Sequence, residues 1–345
     1  MEKRVLINRW LGSAAQAVPI YDEASVSSAR QRVREAGERM GLSKVLVENV
    51  ALIASELTHN QLSHARQGYF SVAPIERDGI RGLEAIAADL GPGIEKPDAA
   101  IRDKMASEGS LGAGLAAVCR IADEVEFDNR ILEGTCIVVR KFESTTTAMP
   151  EIAIMGKPYP GEVISGDDAV VLTTESGFVA VVADGLGHGP EARVASNRAI
   201  EVLSQKSGMD LDELLVILNR ELAGTRGCAI NIMRFIRTGA TLEYVSAGDV
   251  CAHLYHLRDA HFFTPTPLVI GTGHFQKQRI RVERAAVKPG SVLIMFTDGL
   301  KSRTTLKGEL DVLRQPSIAI AQHLLENNSR PDDDALVCVV RFPRG

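Results

Sequence analysis

The stretch Val181–Pro190, VVADGLGHGP, limits what this chain can fold into, because an apolar run typical of a buried strand stops at Asp184 and a glycine loop follows. A carboxylate at the end of a buried strand usually needs a partner, and a bound divalent cation can stabilise it. The pattern recurs as Thr297-Asp298-Gly299 after Val292–Phe296 and as Asp332-Asp333-Asp334 before Ala335–Val340. The sequence therefore predicts a sheet edge at which several carboxylates form a metal site.

The composition predicts two ordinary domains. A chain of 345 residues, 45% of them hydrophobic, exceeds one typical domain and can form two cores. The net charge is −5 and the basic residues are dispersed, which argues against nucleic acid or an anionic membrane as a partner. The five cysteines show neither a CxxC pair nor zinc spacing, and the N-terminus lacks a signal-peptide core. We expect free thiols and a cytoplasmic protein.

Helix and strand patterns alternate through residues 5–142. Apolar residues recur at three- and four-residue steps in the helical segments, and short apolar runs mark the strands. The predicted elements are a strand at Val5–Trp10, a helix from Asp22 to Met40 capped by Asp22 or Ser25 and ended by Gly41, a helix from Ser43 through Ala65, strands Gly68–Ile75 and Leu83–Ala88, a helix opened by Gly109–Leu115 and running to about Ala122, and strands Val125–Phe127 and Thr135–Lys141.

Three motifs in this half occur in a fixed order. Glu56 and Asn60 lie on one face of the second helix, a pair that alone is typical of any exposed helix. Asp89-Leu90-Gly91-Pro92-Gly93-Ile94 follows a strand, where glycines permit close backbone approach to a ligand. Residues 109–115, GSLGAGL, open a helix whose free N–H groups favour an anion such as phosphate.

Together these motifs resemble the GHKL ATP-binding family, and within it the RsbT-like serine kinases. The resemblance implies an α/β sandwich that binds ATP and Mg²⁺, with Asn60 on the metal and Glu56 as the general base for the acceptor hydroxyl. It further implies that Asp89 accepts a hydrogen bond from the adenine amino group. Glycines and a threonine would complete the nucleotide site: Gly91 and Gly93 at the adenine pocket, Gly112 and Gly114 at the phosphates, and Thr135 at the adenine end.

A Ser/Thr-rich break, ESTTTAMP, predicts a linker at 143–150 between domains at 1–142 and 151–345. The second domain alternates strands and helices in a way that suggests two packed sheets with helices outside, giving an α+β protein overall. The predicted elements are strands Ile152–Met155, Asp168–Thr173, Phe178–Ala183, Cys228–Ile236, Thr241–Ser246, Ala252–His256, Arg279–Val287, Val292–Thr297 and Ala335–Phe342, and helices Pro190–Lys206, Leu211–Leu222 and Ser317–Glu326.

The order GDD, ADGLGHG, TDG and DDxA resembles PPM-type metal-dependent serine/threonine phosphatases of the SpoIIE class, especially the short RsbX-like members. The resemblance implies an α-β-β-α sandwich with two Mn²⁺ or Mg²⁺ ions. Close carboxylates repel strongly unless cations neutralise them, which supports such a centre. The implied ligands are Asp184 bridging both ions, the Gly185 carbonyl, Asp298, and either Asp332 or Asp333, with Asp167 acting through water.

Other polar residues of this half are less distinctive. His188 is interpreted as a loop-packing residue, with a substrate or acid role as the alternative. Arg226 is interpreted as a surface residue, although it precedes a strand and could approach phosphate. Asp249 stands where many SpoIIE-class phosphatases have histidine, a departure that bears on substrate contacts.

The two resemblances imply a kinase and an opposing phosphatase in one chain. The first half would phosphorylate Ser or Thr of a STAS-domain partner, and the second would remove phosphate from the same or a related protein. The alternative is a partner-switching module that sequesters a sigma-pathway regulator and uses nucleotide to control the phosphatase without kinase turnover. Whether the GHKL half forms a homodimer, as its relatives often do, stays open.

Overall fold

A computed structural model describes residues 2–12, 17–65, 67–102, 111–272 and 279–344. The chain divides into two compact units, Met1–Glu151 and Ile152–Gly345. The domain limits drawn from the sequence, with a linker at 143–150, stay predictions. No helix within the described ranges is both long and apolar enough to span a membrane.

The first unit is an antiparallel sheet covered by helices. Its strands lie in the order β1-β2-β3-β5-β4. Bounds are β1 Val18–Ile20, β2 Gly68–Arg77, β3 Ile80–Asp89, β4 Glu124–Arg130 and β5 Gly134–Phe142, with helices α1 Glu2–Leu11, α2 Glu23–Met40, α3 Lys44–Asn60, α4 Pro97–Arg102 and α5 Leu111–Ile121.

Local capping sets the limits of α2. The Asp22 carboxylate accepts a hydrogen bond from Ser25 N at 2.7 Å, and Ser25 Oγ accepts one from Asp22 N at 3.1 Å, which completes a capping box. Gly41 ends the helix in the left-handed conformation at φ 63°. The predicted cap and stop signals are thus confirmed.

One predicted strand and one predicted helix needed correction. The predicted strand Val5–Trp10 is wrong because these residues belong to α1, and Ile7 and Trp10 pack on Ala88 and Cys136 of the sheet. Successive strand residues point to opposite faces, so Ala87 and Ile137 face the other helices. The helix predicted through Ala65 changes after Asn60 into a π-helical turn, Gln61–Ala65.

The second unit packs two sheets face to face. The strand orders are β6-β15-β14-β11-β12 and β13-β10-β9-β8-β7. Bounds are β6 Glu151–Lys157, β7 Asp167–Thr174, β8 Gly177–Gly185, β9 Cys228–Ile236, β10 Thr241–Ala247, β11 Cys251–His256, β12 Asp259–Phe262, β13 Glu283–Ala286, β14 Val292–Phe296 and β15 Ala335–Arg341, with helices α6 Gly189–Lys206, α7 Leu211–Glu221, α8 Leu310–Leu313 and α9 Ser317–Asn328.

Strand β8 lies between the two hydrophobic cores of this unit. Val179 and Val181 pack against α6 and α7, whereas Ala180 and Val182 pack against the facing sheet. Helix α9 packs on β15 at the other outer face. The unit is therefore an α-β-β-α sandwich. The strand predicted from Arg279 to Val287 is shorter than expected, covering only Glu283–Ala286.

Candidate nucleotide and metal sites

The first site begins where α3 meets α5. A Cβ added at Gly114 would lie 2.6 Å from Glu56 Oε2 and 3.7 Å from Asn60 Oδ1. A side chain at this position would therefore push the Glu56 carboxylate out of its place. Asn60 is the last residue of α3, directly before the π-helical turn, a feature frequent at functional sites.

Asp89 lies across the sheet from Thr135, at the end of β3. Burial raises the pKa of the Asp89 carboxyl to about 6, although hydrogen bonds from the backbone of Gly91 and Thr135 oppose the shift. The Gly91 N–H donates to Asp89 Oδ1 at 2.8 Å. At Gly93, φ is 77° and an added Cβ would come within 2.9 Å of the Arg130 carbonyl oxygen, so both glycines shape this loop.

Asn129 holds the loop in place, and sequence reasoning missed it. Its Oδ1 accepts from Ile94 N at 2.8 Å and its Nδ2 donates to Ile94 O at 2.8 Å. Thr135 Oγ1 donates to the same Oδ1 at 3.1 Å. Asn129 is fully buried, so it fixes the loop in a preformed shape. No local signal around Asn129 marks this role.

A cavity of about 50 Å³ is lined by four of the predicted nucleotide residues, Asn60, Asp89, Gly93 and Thr135. Its polar wall includes Asn60, Asp89 and Thr135, and its apolar wall includes Leu57 and Ile137. Apolar walls with a few placed polar groups are typical of small-molecule sites. Gly112 lies in α5, whereas residues 109 and 110 of the predicted phosphate loop lie outside the described residues.

The second site is an acidic edge of the C-terminal sandwich. Asp167 and Asp184 are paired directly across β7 and β8, and the carboxyl groups of Asp184 and Asp298 lie within hydrogen-bonding reach. Burial raises the pKa of Asp167 and of Asp184 well above the usual range, and neighbouring carboxylates raise both further. A nearby positive charge would stabilise the ionised form of these carboxylates.

Two polar side chains position this edge. Thr297 Oγ1 donates to Asp167 Oδ2 at 2.7 Å and accepts from Leu336 N at 3.0 Å. Asp334 accepts from Tyr159 N at 2.5 Å and from Gly166 N at 2.7 Å. Asp334 therefore anchors the loop that precedes Asp167. Neither role was predicted, although Thr297 and Asp334 both adjoin predicted ligands.

The geometry favours Asp333 over Asp332 as the last acidic member. Asp333 is half-buried and its charge acts on both Asp167 and Asp184, whereas Asp332 is exposed. Asp332 and Asp333, the two alternatives for one ligand, thus differ in burial and in their effect on the neighbouring carboxylates.

Gly185, another predicted ligand, lies in close contact with α6, since an added Cβ would be 2.0 Å from the Ala192 carbonyl oxygen.

The donor set at this edge suits a hard divalent cation, because its ligands would all be oxygen atoms. Across the part of the chain that the structure describes, no three His, Cys, Asp or Glu side chains by themselves form a metal-binding group. Ions held at Asp184, Asp298 and Asp333 would therefore each take backbone carbonyls or water as further ligands, as Mg²⁺ commonly does.

His188 lies beside this edge without entering it. Its Nδ1 is 3.3 Å from Glu162 Oε1, and its ring stacks on Tyr159 with centroids 4.2 Å apart. These contacts accord with the loop-packing interpretation. Asp249 is exposed on the turn before β11.

Comparison with known proteins supports the two-part description. The family model described as a histidine kinase-like ATPase domain matches residues 21–141, and the model of stage II sporulation protein E (SpoIIE) matches residues 174–343. The expected fold classes are confirmed: the first unit has a histidine kinase-like ATPase fold and the second a PPM-type phosphatase fold.

Individual proteins agree with these matches. A structure from work on the bacterial stressosome, a modular system adapted to control secondary messenger signalling, has a TM-score of 0.53 at 24% identity, covering 56% of this chain and 100% of its own. RsbX in complex with magnesium has a TM-score of 0.50 at 20% identity, covering 57% and 97% respectively. Both likenesses concern the fold.

The serine/threonine-protein kinase RsbT of Bacillus subtilis (strain 168) is 33% identical over 125 residues, which cover 36% of this chain and 94% of RsbT. Such identity over nearly the whole of RsbT establishes kinship. The chain therefore belongs to the RsbT family of serine/threonine kinases, and a SpoIIE-type phosphatase domain follows its kinase-like domain.

Proposed function

We propose that this protein is a bifunctional regulator whose N-terminal unit phosphorylates, and whose C-terminal unit dephosphorylates, Ser or Thr of a STAS-domain protein in a partner-switching pathway. The observation that carries the proposal is the presence in one chain of the Glu56, Asn60 and Gly114 cluster and of the acidic edge. The similarity to the kinase RsbT supports the proposed kinase activity, and the match to the SpoIIE family model supports the proposed phosphatase activity.

In the kinase reaction, Glu56 accepts the proton of the acceptor hydroxyl while the hydroxyl oxygen attacks the γ-phosphorus of ATP and ADP leaves. Asn60 would hold the Mg²⁺ that neutralises the phosphates. The cavity that contains Asp89 would hold adenine, and Asn129 keeps its loop in place before the nucleotide arrives. Positioning supplies most of the rate enhancement in such a reaction.

In the phosphatase reaction, water attacks phosphorus, the serine oxygen leaves with a proton, and inorganic phosphate is released. Asp184, Asp298, Asp333 and the Gly185 carbonyl would hold two Mn²⁺ or Mg²⁺ ions, with Asp167 acting through water. Ions held there would neutralise the phosphate and lower the pKa of the attacking water. Thr297 positions Asp167 for this task.

The kinase half is tested with γ-labelled ATP and a candidate STAS-domain protein. Glu56→Gln should abolish transfer and leave ATP binding intact, whereas Glu48→Gln on the same helix should transfer normally, since Glu48 pairs with Arg34 away from the site. If the wild type transfers nothing while ATP changes its affinity for the STAS protein, the sequestration module is the correct function.

The phosphatase half is tested with p-nitrophenyl phosphate and with the phosphorylated STAS protein. Asp184→Asn should abolish Mn²⁺-dependent hydrolysis of both. Asp212→Asn, in the first turn of α7, serves as the matched control and should hydrolyse both normally. Hydrolysis that survives Asp184→Asn would exclude the metal assignment.

A further inference from the structure

The loop that follows Asp184 is held by the turn that precedes β9. The register of β8 and β9 places Gly185 opposite Cys228, so the turn at Arg226 and Gly227 lies beside this loop. Leu186 N donates to the Gly227 carbonyl oxygen at 3.1 Å. The backbone that carries Arg226 is therefore fixed with respect to the acidic edge.

This turn requires glycine at position 227. Its φ is 84°, and an added Cβ would lie 2.5 Å from the Ile270 carbonyl oxygen. A side chain at this position would be both strained and blocked. The direction in which Arg226 leaves the turn is thus set by local geometry.

The Arg226 guanidinium reaches the glycine loop itself. A Cβ added at Gly187 would come within 2.8 Å of Arg226 Nη1. Its Nη2 pairs with Glu191 in the first turn of α6, and the Arg226 side chain is 44% exposed. The guanidinium has five N–H donors, so this one pairing leaves others available to a ligand.

The chemistry of the proposed reaction calls for a cationic group in this place. A phosphate monoester carries nearly two negative charges and must approach an edge that already holds several carboxylates. A guanidinium binds phosphate through two parallel hydrogen bonds, which fixes orientation as well as charge. We propose that Arg226 binds the phosphate group of the phosphatase's substrate, an inference that rests on the proposed phosphatase function.

The pairing with Glu191 then acts as a competitor for the phosphate. The Glu191 side chain is 74% exposed, and exposed ion pairs contribute little stability. A doubly charged phosphate can therefore displace this carboxylate from the guanidinium. Removing the Glu191 charge should favour phosphate binding, whereas removing the Arg226 charge should oppose it.

The test measures inorganic phosphate as a competitive inhibitor of p-nitrophenyl phosphate hydrolysis by the full chain with Mn²⁺. Arg226→Met should raise the inhibition constant about tenfold to a hundredfold, the usual loss of a charged hydrogen-bond donor. Glu191→Gln should lower the constant. Arg198→Met is the matched control, because Arg198 is also 44% exposed and pairs with Glu221 on the same unit; its constant should equal that of the wild type.

Two results would overturn the proposal. One is an inhibition constant in Arg226→Met within twofold of the wild type. The other is an equal loss of phosphate affinity in Glu191→Gln and Arg226→Met, which would make the ion pair a structural brace.

Failure of the phosphatase function is recognised separately. If the wild type hydrolyses no phosphomonoester, phosphate binding is followed by thermal unfolding in Mn²⁺. Phosphate that raises the melting temperature of the wild type and leaves that of Arg226→Met unchanged supports the assignment. Equal shifts in the two proteins contradict it.

Discussion

Thr297→Val should destabilise the C-terminal unit by removing two hydrogen bonds at its acidic edge. The side chain is fully buried, and its hydroxyl joins Asp167 on one strand to the Leu336 N–H on another. Valine keeps the shape and removes both hydrogen bonds. Leaving a buried donor without its acceptor costs about 1–3 kcal/mol, and losing a bond to a carboxylate costs a similar amount.

The two losses share one hydroxyl, so we expect about 3 kcal/mol in total rather than their full sum. For a unit of this size, that corresponds to a fall of roughly 6–12 °C in melting temperature. Thermal and urea unfolding in EDTA measure the effect without any contribution from bound metal. Thr297→Ser keeps the hydroxyl and is the control, with a loss of about 1 kcal/mol for one methyl group.

A second readout separates position from stability. If Thr297 orients Asp167, the Mn²⁺ concentration for half-maximal hydrolysis should rise in Thr297→Val and stay near the wild-type value in Thr297→Ser. Equal stability and equal Mn²⁺ dependence of the two variants would refute the reasoning, because the hydroxyl would then have no role.

Three other changes have distinct expected outcomes. Gly114→Ala should keep or raise stability, since alanine favours a helix by about 1 kcal/mol, yet reduce phosphoryl transfer about a hundredfold because its Cβ would displace Glu56; calorimetry and labelled ATP measure these effects. Gly299→Ala should unfold the C-terminal unit, as circular dichroism would show, because its Cβ would lie 1.6 Å from the Asp334 carbonyl oxygen. Burial raises the pKa of Asp89 from 3.8 to about 6, so the stability that the protonated carboxyl gives the fold is fully present below pH 3.8 and is lost as pH rises through about 6. The free energy of unfolding of the N-terminal unit should fall by about 3 kcal/mol across that window. Urea titrations at several pH values measure the fall, and Asp89→Asn should remove it.

Local signals in the sequence predicted well wherever neighbours in the chain decide the structure. The capping box of Asp22 and Ser25 and the stop at Gly41 involve residues a few positions apart, so the sequence contains the whole interaction. Val5–Trp10 failed for the opposite reason. Its apolar pattern suits a short strand or a helix equally well, and only packing against Cys136 and Ala88 selects the helix.

Long-range hydrogen bonds account for what the sequence did not predict in the nucleotide site. Asn129 lies 35 residues from Ile94, and its role exists only because β4 and β5 bring it to that loop. An asparagine within a strand carries no signal for such a contact. Glu56 and Asp89 could be found because each stands in a spaced motif, whereas Asn129 stands in none.

The acidic doublets show how the fold assigns different tasks to neighbouring residues of one type. Asp168 and Asp334 are compensated by the protein: Asp168 pairs with Arg193 at 3.3 Å, and Asp334 accepts two backbone N–H groups. Their neighbours Asp167 and Asp333 contribute charge directly to Asp184, whereas the charge of Asp334 acts on Asp167. Alternation along β7 turns Asp167 and Asp168 to opposite faces, whereas Asp333 and Asp334 precede β15 and are set apart by the loop contacts of Asp334. Burial of the Asp167 and Asp184 carboxylates is reasonable when a cation offsets their charge, which is why the metal site is proposed around Asp184 rather than at every acidic residue of this edge.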